Sequence, residues 1–170
     1  MGIRRRDVLK AVAATALAGF APDAYADDRI LIPNDGKITM TSRPLMTVRI
    51  AAAPSQKLGT VPHGIRSIVP VTGGDFEGPR LRGKVLPGGG DWLLLRPDGV
   101  LELDLRITLE TDDHVLIYMT FQGLRHGPYF RTLPRFETST ATYAFLNRIV
   151  SVGVGEAGPD GAVHRIDEIL

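Results

Sequence analysis

Three acidic residues of this sequence stand directly beside aromatic side chains, in the pairs Phe76-Glu77, Asp91-Trp92 and Phe136-Glu137. A carboxyl group that is desolvated against an aromatic wall has a raised pKa, so it can act as a general acid or base near neutral pH. The alternative is that each carboxylate caps a turn or pairs with an arginine and fixes the structure. The arginines available for such pairing are Arg80, Arg96, Arg106 and Arg131.

A fourth acidic residue, Asp104, belongs to a predicted hairpin, Val100–Gln122, whose strands are long enough for their residues to be assigned to two faces. Successive side chains of a strand point to opposite faces, so the polar residues share one face. A three-residue loop at Thr111–Asp113 predicts that Arg106 lies opposite Tyr118. The polar face then either contacts solvent or lines a barrel interior, where a guanidinium, a carboxylate and a phenol converge on a ligand.

Arg106 and Arg131 are the preferred residues for holding a substrate carboxylate or enolate, because a guanidinium donates two parallel hydrogen bonds to such a group. Aromatic side chains are expected to form the walls around that substrate. The complete set of predicted proton-transfer residues is Glu77, Asp91, Asp104 and Glu137. The predicted ligand-binding residues are Trp92, Arg96, Arg106, Tyr118, Tyr129, Arg131 and Phe136.

Other kinds of chemistry have no signature in the sequence. The four histidines, His63, His114, His126 and His164, show no helical i, i+4 spacing, and the chain has no cysteine. We therefore expect no metal site. The Pro-Gly-Gly-Gly segment at 87–90 lacks the Lys-Ser/Thr ending of a phosphate loop, and no serine lies in a Gly-x-Ser-x-Gly context. We expect no cofactor and no serine nucleophile.

Alternation with a period of two residues, interrupted by Gly and Pro, predicts a mostly-β protein. The predicted strands are Leu45–Ala51, Gly64–Val71, Arg80–Leu86, Trp92–Arg96, Val100–Glu110, His114–Gln122, Ile149–Gly155 and Val163–Leu170. Eight short strands separated by turns indicate a closed barrel or a sandwich. The segment Thr142–Arg148 is expected to form one short helix or a 3₁₀ turn.

The first 26 residues are typical of a twin-arginine export signal. RRDVLK at 5–10 is followed by an Ala-rich apolar run at 11–20, which is about half the length that a membrane-spanning helix needs. The run ends at Ala24-Tyr25-Ala26, a small-x-small cleavage site, although an amphipathic first helix is the alternative. The sequence thus predicts a signal peptide at 1–26, an N-terminal arm at 27–43, one barrel domain at 44–170 and a periplasmic location.

Removal of the leader takes away four basic and two acidic residues, so the formal charge changes from +1 to −1. A nearly neutral protein lacks the basic surface that binds phosphate backbones or anionic membranes. We expect a small-molecule ligand or substrate, no nucleic acid, no membrane attachment after cleavage, and the possibility of a homo-oligomer. About 144 residues suit one domain with a substantial core.

Five blocks of the sequence carry a family resemblance. They are GGDFEGP at 73–79, LRGKVLPGGGDW at 81–92, RPDGVLELDLRITLET at 96–111, YFRTLPRFET at 129–138 and YAFLN at 143–147. In this order they resemble the domain of unknown function 3237, also called uncharacterised protein family 0311. The resemblance implies a single antiparallel β-barrel, similar in outline to lipocalin-like barrels, and it supplies no reaction.

Two functions therefore remain open. The first is a cofactor-independent isomerase or lyase that uses carboxylates for proton transfer and an arginine to hold an anion. The second is a binding protein for a small apolar or aromatic ligand. Two carboxyls in unlike environments facing one cavity favour the enzyme, whereas carboxylates paired with arginines at the rim favour a binding or structural role.

Overall fold

The structure is a computed structural model that describes residues 39–159 and 161–170. Within these ranges it contains one 3₁₀ helix, Ala141–Arg148, and ten strands. The strands are β1 (Ser42–Ala52), β2 (Gln56–Val61), β3 (Gly64–Glu77), β4 (Arg82–Val85), β5 (Gly90–Leu95), β6 (Leu101–Thr111), β7 (Leu116–His126), β8 (Tyr129–Glu137), β9 (Val150–Gly158) and β10 (Gly161–Ile169). The predicted signal peptide and residues 27–38 of the predicted arm lie outside the described residues. No helix in the described part of the chain is long and apolar enough to cross a membrane.

The strands form a closed antiparallel barrel with eight positions around its circumference. The first half of β3 pairs with β2 on one side and β5 on the other, and its second half pairs with β1 and β4. β1 and β2 thus share one position, and β4 and β5 share another. Because β1 also pairs with β10, the sheet has no open seam. The predicted mostly-β barrel with one short helix is confirmed.

The apolar face of the β6–β7 hairpin lines the barrel interior. Its buried residues are Leu103, Leu105, Ile107, Leu109, Ile117, Met119 and Phe121. Each leucine-sized side chain gains about 1.5–3 kcal/mol from full burial, so a one-residue slip that turned these side chains outward is strongly disfavoured. The polar face, which includes Asp104 and Arg106, is therefore the outer face of the barrel.

The predicted register of this hairpin is wrong by two residues. Arg106 lies opposite Thr120, whereas Tyr118 lies opposite Thr108. The connection is longer than expected because His114 adopts a left-handed conformation, with φ 63°, and does not join the ladder. A shift of two residues keeps every side chain on its predicted face.

β2 and β8 were not predicted as strands. In β8, Phe130, Thr132, Pro134 and Phe136 alternate toward the interior, but Pro134 argues against a strand in the sequence. Pro134 is compatible with a strand because β8 pairs with β9 at only two positions, Arg131 with Val154 and Thr132 with Gly153. Both positions precede the proline. On the side of Pro134 that faces β9, the Ser151 hydroxyl donates to the Pro134 carbonyl oxygen at 2.8 Å. A side chain thus replaces the backbone ladder there, and the N–H that proline lacks is not needed.

The 3₁₀ helix packs against one end of the barrel. Tyr143 and Leu146 are buried in the same core as the strand residues. The Tyr143 hydroxyl donates to Asp113 Oδ1 at 2.8 Å. Asn147 fixes the other side of the helix, because its Oδ1 accepts from the Thr138 N–H at 2.9 Å and its amide donates to the Thr138 carbonyl at 2.8 Å. This end is closed.

Glu168 stabilises the closed end through two arginines. Its Oε2 accepts from Arg43 Nε at 2.8 Å and from Arg80 Nη2 at 2.7 Å, and the Arg80 guanidinium lies 3.9 Å from the ring centroid of Phe145. The hydrogen bond from Arg43 is the main reason that the pKa of Glu168 is below its ordinary value.

Replacing Glu168 with alanine is expected to lower the free energy of unfolding by about 1.5–3 kcal/mol at pH 7, because two charge-assisted hydrogen bonds are lost. Since the folded pKa is depressed, this contribution is present above the ordinary glutamate pKa and is lost as the pH falls through the folded value. Urea titrations at pH 7 and pH 3 measure both effects. The control is Glu156→Ala, which breaks an exposed pair with Arg165 and should change stability by less than about 1 kcal/mol. Equal effects of the two substitutions contradict the prediction.

Candidate active site

The barrel end opposite the 3₁₀ helix is open and contains a pocket of about 590 Å³. It lies inside the barrel, where β1, β7 and β9 end and where β6, β8 and β10 begin. Most of its lining is apolar and includes Val71, Leu93, Leu103, Leu105, Phe121 and Phe130. Within the described residues, its ionisable lining side chains are Asp91, Arg125 and His164.

Asp91 enters this pocket from a gap in the β5–β6 ladder. Gly90 and Asp91 pair with Arg106 and Leu105, and pairing resumes only at Leu94. Within the gap the backbone N–H of Asp104 donates to Asp91 Oδ1 at 3.0 Å. The carboxylate thus takes the place of a backbone carbonyl as acceptor, which fixes its orientation.

The glycine run before Asp91 lets β5 begin so close to β6. A Cβ atom on Gly89 would lie 2.3 Å from the Arg106 carbonyl oxygen. Only a residue without a side chain fits there. The glycine run at 88–90, which is not a phosphate loop, therefore positions Asp91.

Burial raises the pKa of Asp91 to about 7. The hydrogen bond from the Asp104 amide opposes this rise, and the negative charge of the Asp104 carboxylate adds to it. Asp91 forms no ion pair with a basic side chain in the described ranges. Near neutral pH both of its protonation states are populated, so it can accept or donate a proton.

His164 is a second buried polar group of the pocket. Only 1% of the residue is exposed, and its ring packs against Phe121 at 4.8 Å and Phe130 at 5.0 Å between centroids. Its Nδ1 has no hydrogen-bond partner among residues 39–159 and 161–170. Burial lowers the pKa of His164 to about 4, so the imidazole is neutral at pH 7.

Sequence reasoning missed both His164 and Arg125. His164 alternates in β10 with Val163 and Arg165, and it shares the inward face with Ile166. That alternation was the available signal. Arg125 is exposed near the end of β7, with its guanidinium 5.5 Å from the ring centroid of Phe130.

Several predicted residues meet on the outside of the barrel instead. Trp92, Asp104, Tyr129 and Arg131 line an outer groove of about 830 Å³, and Arg106 and Tyr118 line a smaller neighbouring depression with Asp104. The Arg106 guanidinium lies 5.5 Å from the Trp92 ring, and that of Arg131 lies 5.0 Å from the Tyr129 ring. Arg96 pairs with Asp98 and Glu102 near the same face.

The remaining predicted residues lie away from the inner pocket and the outer groove. Phe136 is buried in the core. Glu137 is exposed opposite Tyr118 on β7, and Glu77 is exposed opposite Thr47 and Arg82. The structure therefore does not bring these two glutamates together with Asp91.

The outer groove is larger, but the inner pocket is the better site for proton transfer. In the groove, Asp104 pairs with Arg106 at 3.1 Å and Glu102 pairs with Arg96 at 3.5 Å. Each of these two carboxylates already has a basic partner at the surface. Asp91 instead lies in an apolar pocket without a basic partner. No group of three or more potential metal ligands occurs in the described part of the chain.

Comparison with known proteins gives the family of this barrel. A family model for a protein of unknown function, DUF3237, matches residues 40–129. A UPF0311 protein from Rhodopseudomonas palustris strain TIE-1 is 30% identical over 150 residues, which cover 78% of this chain and 98% of the relative. The chain belongs to the DUF3237 family. The family membership expected from the five sequence blocks is confirmed.

Solved structures similar to this DUF3237 protein share its barrel. A conserved protein of unknown function from Rhodopseudomonas palustris aligns with a TM-score of 0.77 and 30% identity, covering 79% of this chain and all of that one. A beta-barrel like protein from Acinetobacter baumannii AYE aligns with a TM-score of 0.76 and 32% identity, covering 80% and 99%. An enzyme from Penicillium herquei aligns with a TM-score of 0.67 and 20% identity, covering 79% and 97%, a likeness that shows the fold alone.

Proposed function

We propose that this protein is a cofactor-independent isomerase or lyase that moves a proton on a small, largely apolar molecule held in the open end of the barrel. The observation that carries this proposal is the position of Asp91, a carboxyl group in an apolar pocket without a basic partner. Asp91 acts as the general base that removes the proton and as the general acid that returns it.

The geometry around Asp91 suits this role. The Asp104 amide holds Oδ1, so Oδ2 remains for the substrate. A general acid or base works best when its pKa lies near the working pH, and such groups contribute about 10²–10⁴-fold to a rate. The apolar walls keep the carboxyl desolvated and limit the access of water to the reacting carbon.

The Penicillium herquei protein is described as an enzyme, so a barrel of this shape is compatible with catalysis. Export by the twin-arginine route, which rests on the leader sequence at 1–26, places the reaction in the periplasm. A protein exported by this route folds before transport. Use of this route does not require that the protein carry a cofactor.

The alternative function is non-catalytic binding of a small apolar or aromatic ligand. Two carboxyl groups facing one cavity would favour an enzyme, but Asp91 is the single carboxylate among the described lining residues. This count favours the binding protein. A binding protein needs no proton transfer, so the two functions differ in whether a bound carbon acid exchanges its protons.

The proposal is tested by deuterium exchange into 2-tetralone, an uncharged bicyclic ketone with acidic α-protons. With the full chain in D₂O, ¹H NMR is expected to show exchange faster than in buffer alone. The enzyme-dependent rate should rise with pH and level off above about 7, because the base must be deprotonated. Binding of 2-tetralone without any acceleration supports the binding protein and contradicts the enzyme.

A further inference from the structure

The outer face of the barrel from β5 to β9 carries an extended apolar surface. Outward side chains of these strands alternate with the buried ones, and several are large apolar residues of which 36–67% is exposed. They are Trp92, Leu116, Tyr118, Leu124, Tyr129, Leu133, Val150 and Val154. Trp92, Leu124, Tyr129 and Leu133 line the outer groove together. A contiguous apolar surface of this kind is typical of a site that binds another protein.

The other side of the barrel has a different outer surface. There the outward side chains of β1, β3 and β10 include charged groups that pair across neighbouring strands. Arg49 of β1 pairs with Asp75 of β3 at 2.6 Å, and Arg165 of β10 pairs with Glu156 at 2.6 Å. These pairs satisfy each other within one chain. The β5–β9 face is therefore the better candidate for an interface.

Charged residues form a self-complementary pattern around Leu124 on this face. Leu124 of β7 lies opposite Glu102 of β6 on one side and opposite Arg131 of β8 on the other. Arg131 forms no ion pair within the described residues, and its Nη1 donates to the Phe130 carbonyl oxygen at 3.0 Å. Glu102 has only a long contact of 3.5 Å with Arg96. An acidic and a basic group thus flank one exposed leucine.

This pattern matches the geometry of a symmetric dimer. In a two-fold interface the same surface of both subunits meets, so that if one residue contacts a second, the second contacts the first. A two-fold axis parallel to β7 and beside Leu124 exchanges the two sides of this strand. It places the two Leu124 side chains together and Glu102 of each copy against Arg131 of the other.

We propose that the β5–β9 face binds a second copy of this chain about such an axis. The arrangement buries the exposed aromatic and leucine side chains and gives each Arg131 a carboxylate partner, which suits the aromatic and arginine content typical of interfaces. Because the axis is parallel to β7, both barrels open at the same end of the dimer. The interface lies outside the barrel, so this inference does not depend on the proposed function.

The first test is the mass of the full chain in solution, measured by sedimentation equilibrium. The wild-type protein is expected to be a dimer with a dissociation constant in the micromolar range or below. Leu124→Glu should raise this constant by about 100-fold or more, because two like charges then meet at the axis. The control is Leu58→Glu. Leu58 is also exposed, by 58%, but it lies on β2 outside the face, so its replacement should leave the dissociation constant unchanged.

The second test reverses the proposed ion pairs. Glu102→Arg and Arg131→Glu should each weaken the dimer by about tenfold or more, because each places like charges opposite one another twice. The double variant with both substitutions restores opposite charges at both positions. Its dissociation constant should return to within about threefold of the wild-type value.

A wild-type protein that remains a monomer at about 100 µM would overturn the proposal and leave this face to a different partner. So would a Leu124→Glu variant that unfolds at the wild-type temperature and still dimerises with wild-type affinity. Failure of the double charge reversal to recover the affinity lost in the single variants would rule out the axis beside Leu124.

Discussion

Replacing Asp91 with asparagine is expected to reduce the enzyme-dependent exchange of 2-tetralone by about 10²–10⁴-fold. The amide cannot take up or release a proton at neutral pH. Its oxygen still accepts the hydrogen bond from the Asp104 N–H, which now reaches the carboxylate at 3.0 Å. Since the pocket shape is conserved, the loss should appear in the rate at saturation and leave the affinity for 2-tetralone nearly constant.

The matched control for this variant is Asp104→Asn. Asp104 donates its backbone N–H to Asp91, and that donor is unaffected by a change of side chain. Its carboxylate lies on the outer face and pairs with Arg106. Loss of the Asp104 charge lowers the pKa of Asp91, but this charge is a smaller cause of the raised pKa than burial. The exchange rate should therefore change by less than about threefold. Equal rate losses in the two variants contradict the assignment of the base to Asp91.

The same Asp91→Asn variant is expected to be more stable than the wild-type protein at pH 8, by about 2–4 kcal/mol. The folded state raises the pKa of Asp91 from 3.8 to about 7, so the folded protein binds this proton more tightly than the unfolded chain. The contribution of Asp91 to stability therefore falls as the pH rises from about 4 to about 7, and it is constant above that range. Urea titrations should show no excess stability of the variant at pH 4 and the full excess at pH 8.

Replacing Gly74 with alanine is expected to lower the free energy of unfolding by about 3–5 kcal/mol. Gly74 has φ +139°, and a Cβ atom there would lie 2.0 Å from the Arg49 carbonyl oxygen. Gly74 pairs with Ile50 where β3 meets β1. The added methyl group would push β1 away from β3 and open the seam that closes the barrel. The loss is a large part of the stability of a domain this size.

The neighbouring Gly73 is the control for backbone strain alone. It has nearly the same conformation, with φ +151°, but the nearest atom to an added Cβ is the Val85 carbonyl oxygen at 3.7 Å. Gly73→Ala should therefore cost only about 1–2 kcal/mol, the strain of a side chain at positive φ. Thermal and urea unfolding of both variants measure the difference. Equal losses would show that backbone strain, and not the close approach of β1, makes Gly74 necessary.

Much of the fold was predictable because alternation is a local signal. The β6–β7 hairpin shows this, since its apolar residues could be assigned to one face without knowledge of the partner strands. Its register was not predictable, because it depends on the left-handed conformation of His114. β8 was missed because Pro134 is acceptable only where the ladder to β9 has already ended.

The site was predictable only in part, and Asp91 was selected for a reason that the geometry does not support. We expected Trp92 to form the wall that desolvates Asp91. Neighbours in a strand point to opposite faces, so Trp92 lines the outer groove and Asp91 lines the pocket. The same rule separates Phe136, which is buried, from the exposed Glu137.

His164 and Arg125 needed knowledge of which strands meet. His164 lies on β10 and Arg125 on β7, and these two strands are separated around the barrel by β9 and β8. No local pattern in the sequence connects them. They share one pocket because the barrel closes, which brings Phe121 and Phe130 against the His164 ring.

The pKa of Asp91 is the quantity that decides whether the open end of the barrel can transfer protons. It can be measured in the full chain by ¹³C NMR titration of the side-chain carboxyl, with the signal assigned through the Asp91→Asn variant. Asp98 is the internal reference, because its pKa lies below the ordinary value. The main cause is the hydrogen bond that its carboxylate accepts from the Val100 N–H. We expect a midpoint near 7 for Asp91. A midpoint near 4 would mean that the carboxyl is solvated and ionised, and it would contradict a proton-transfer site in this pocket.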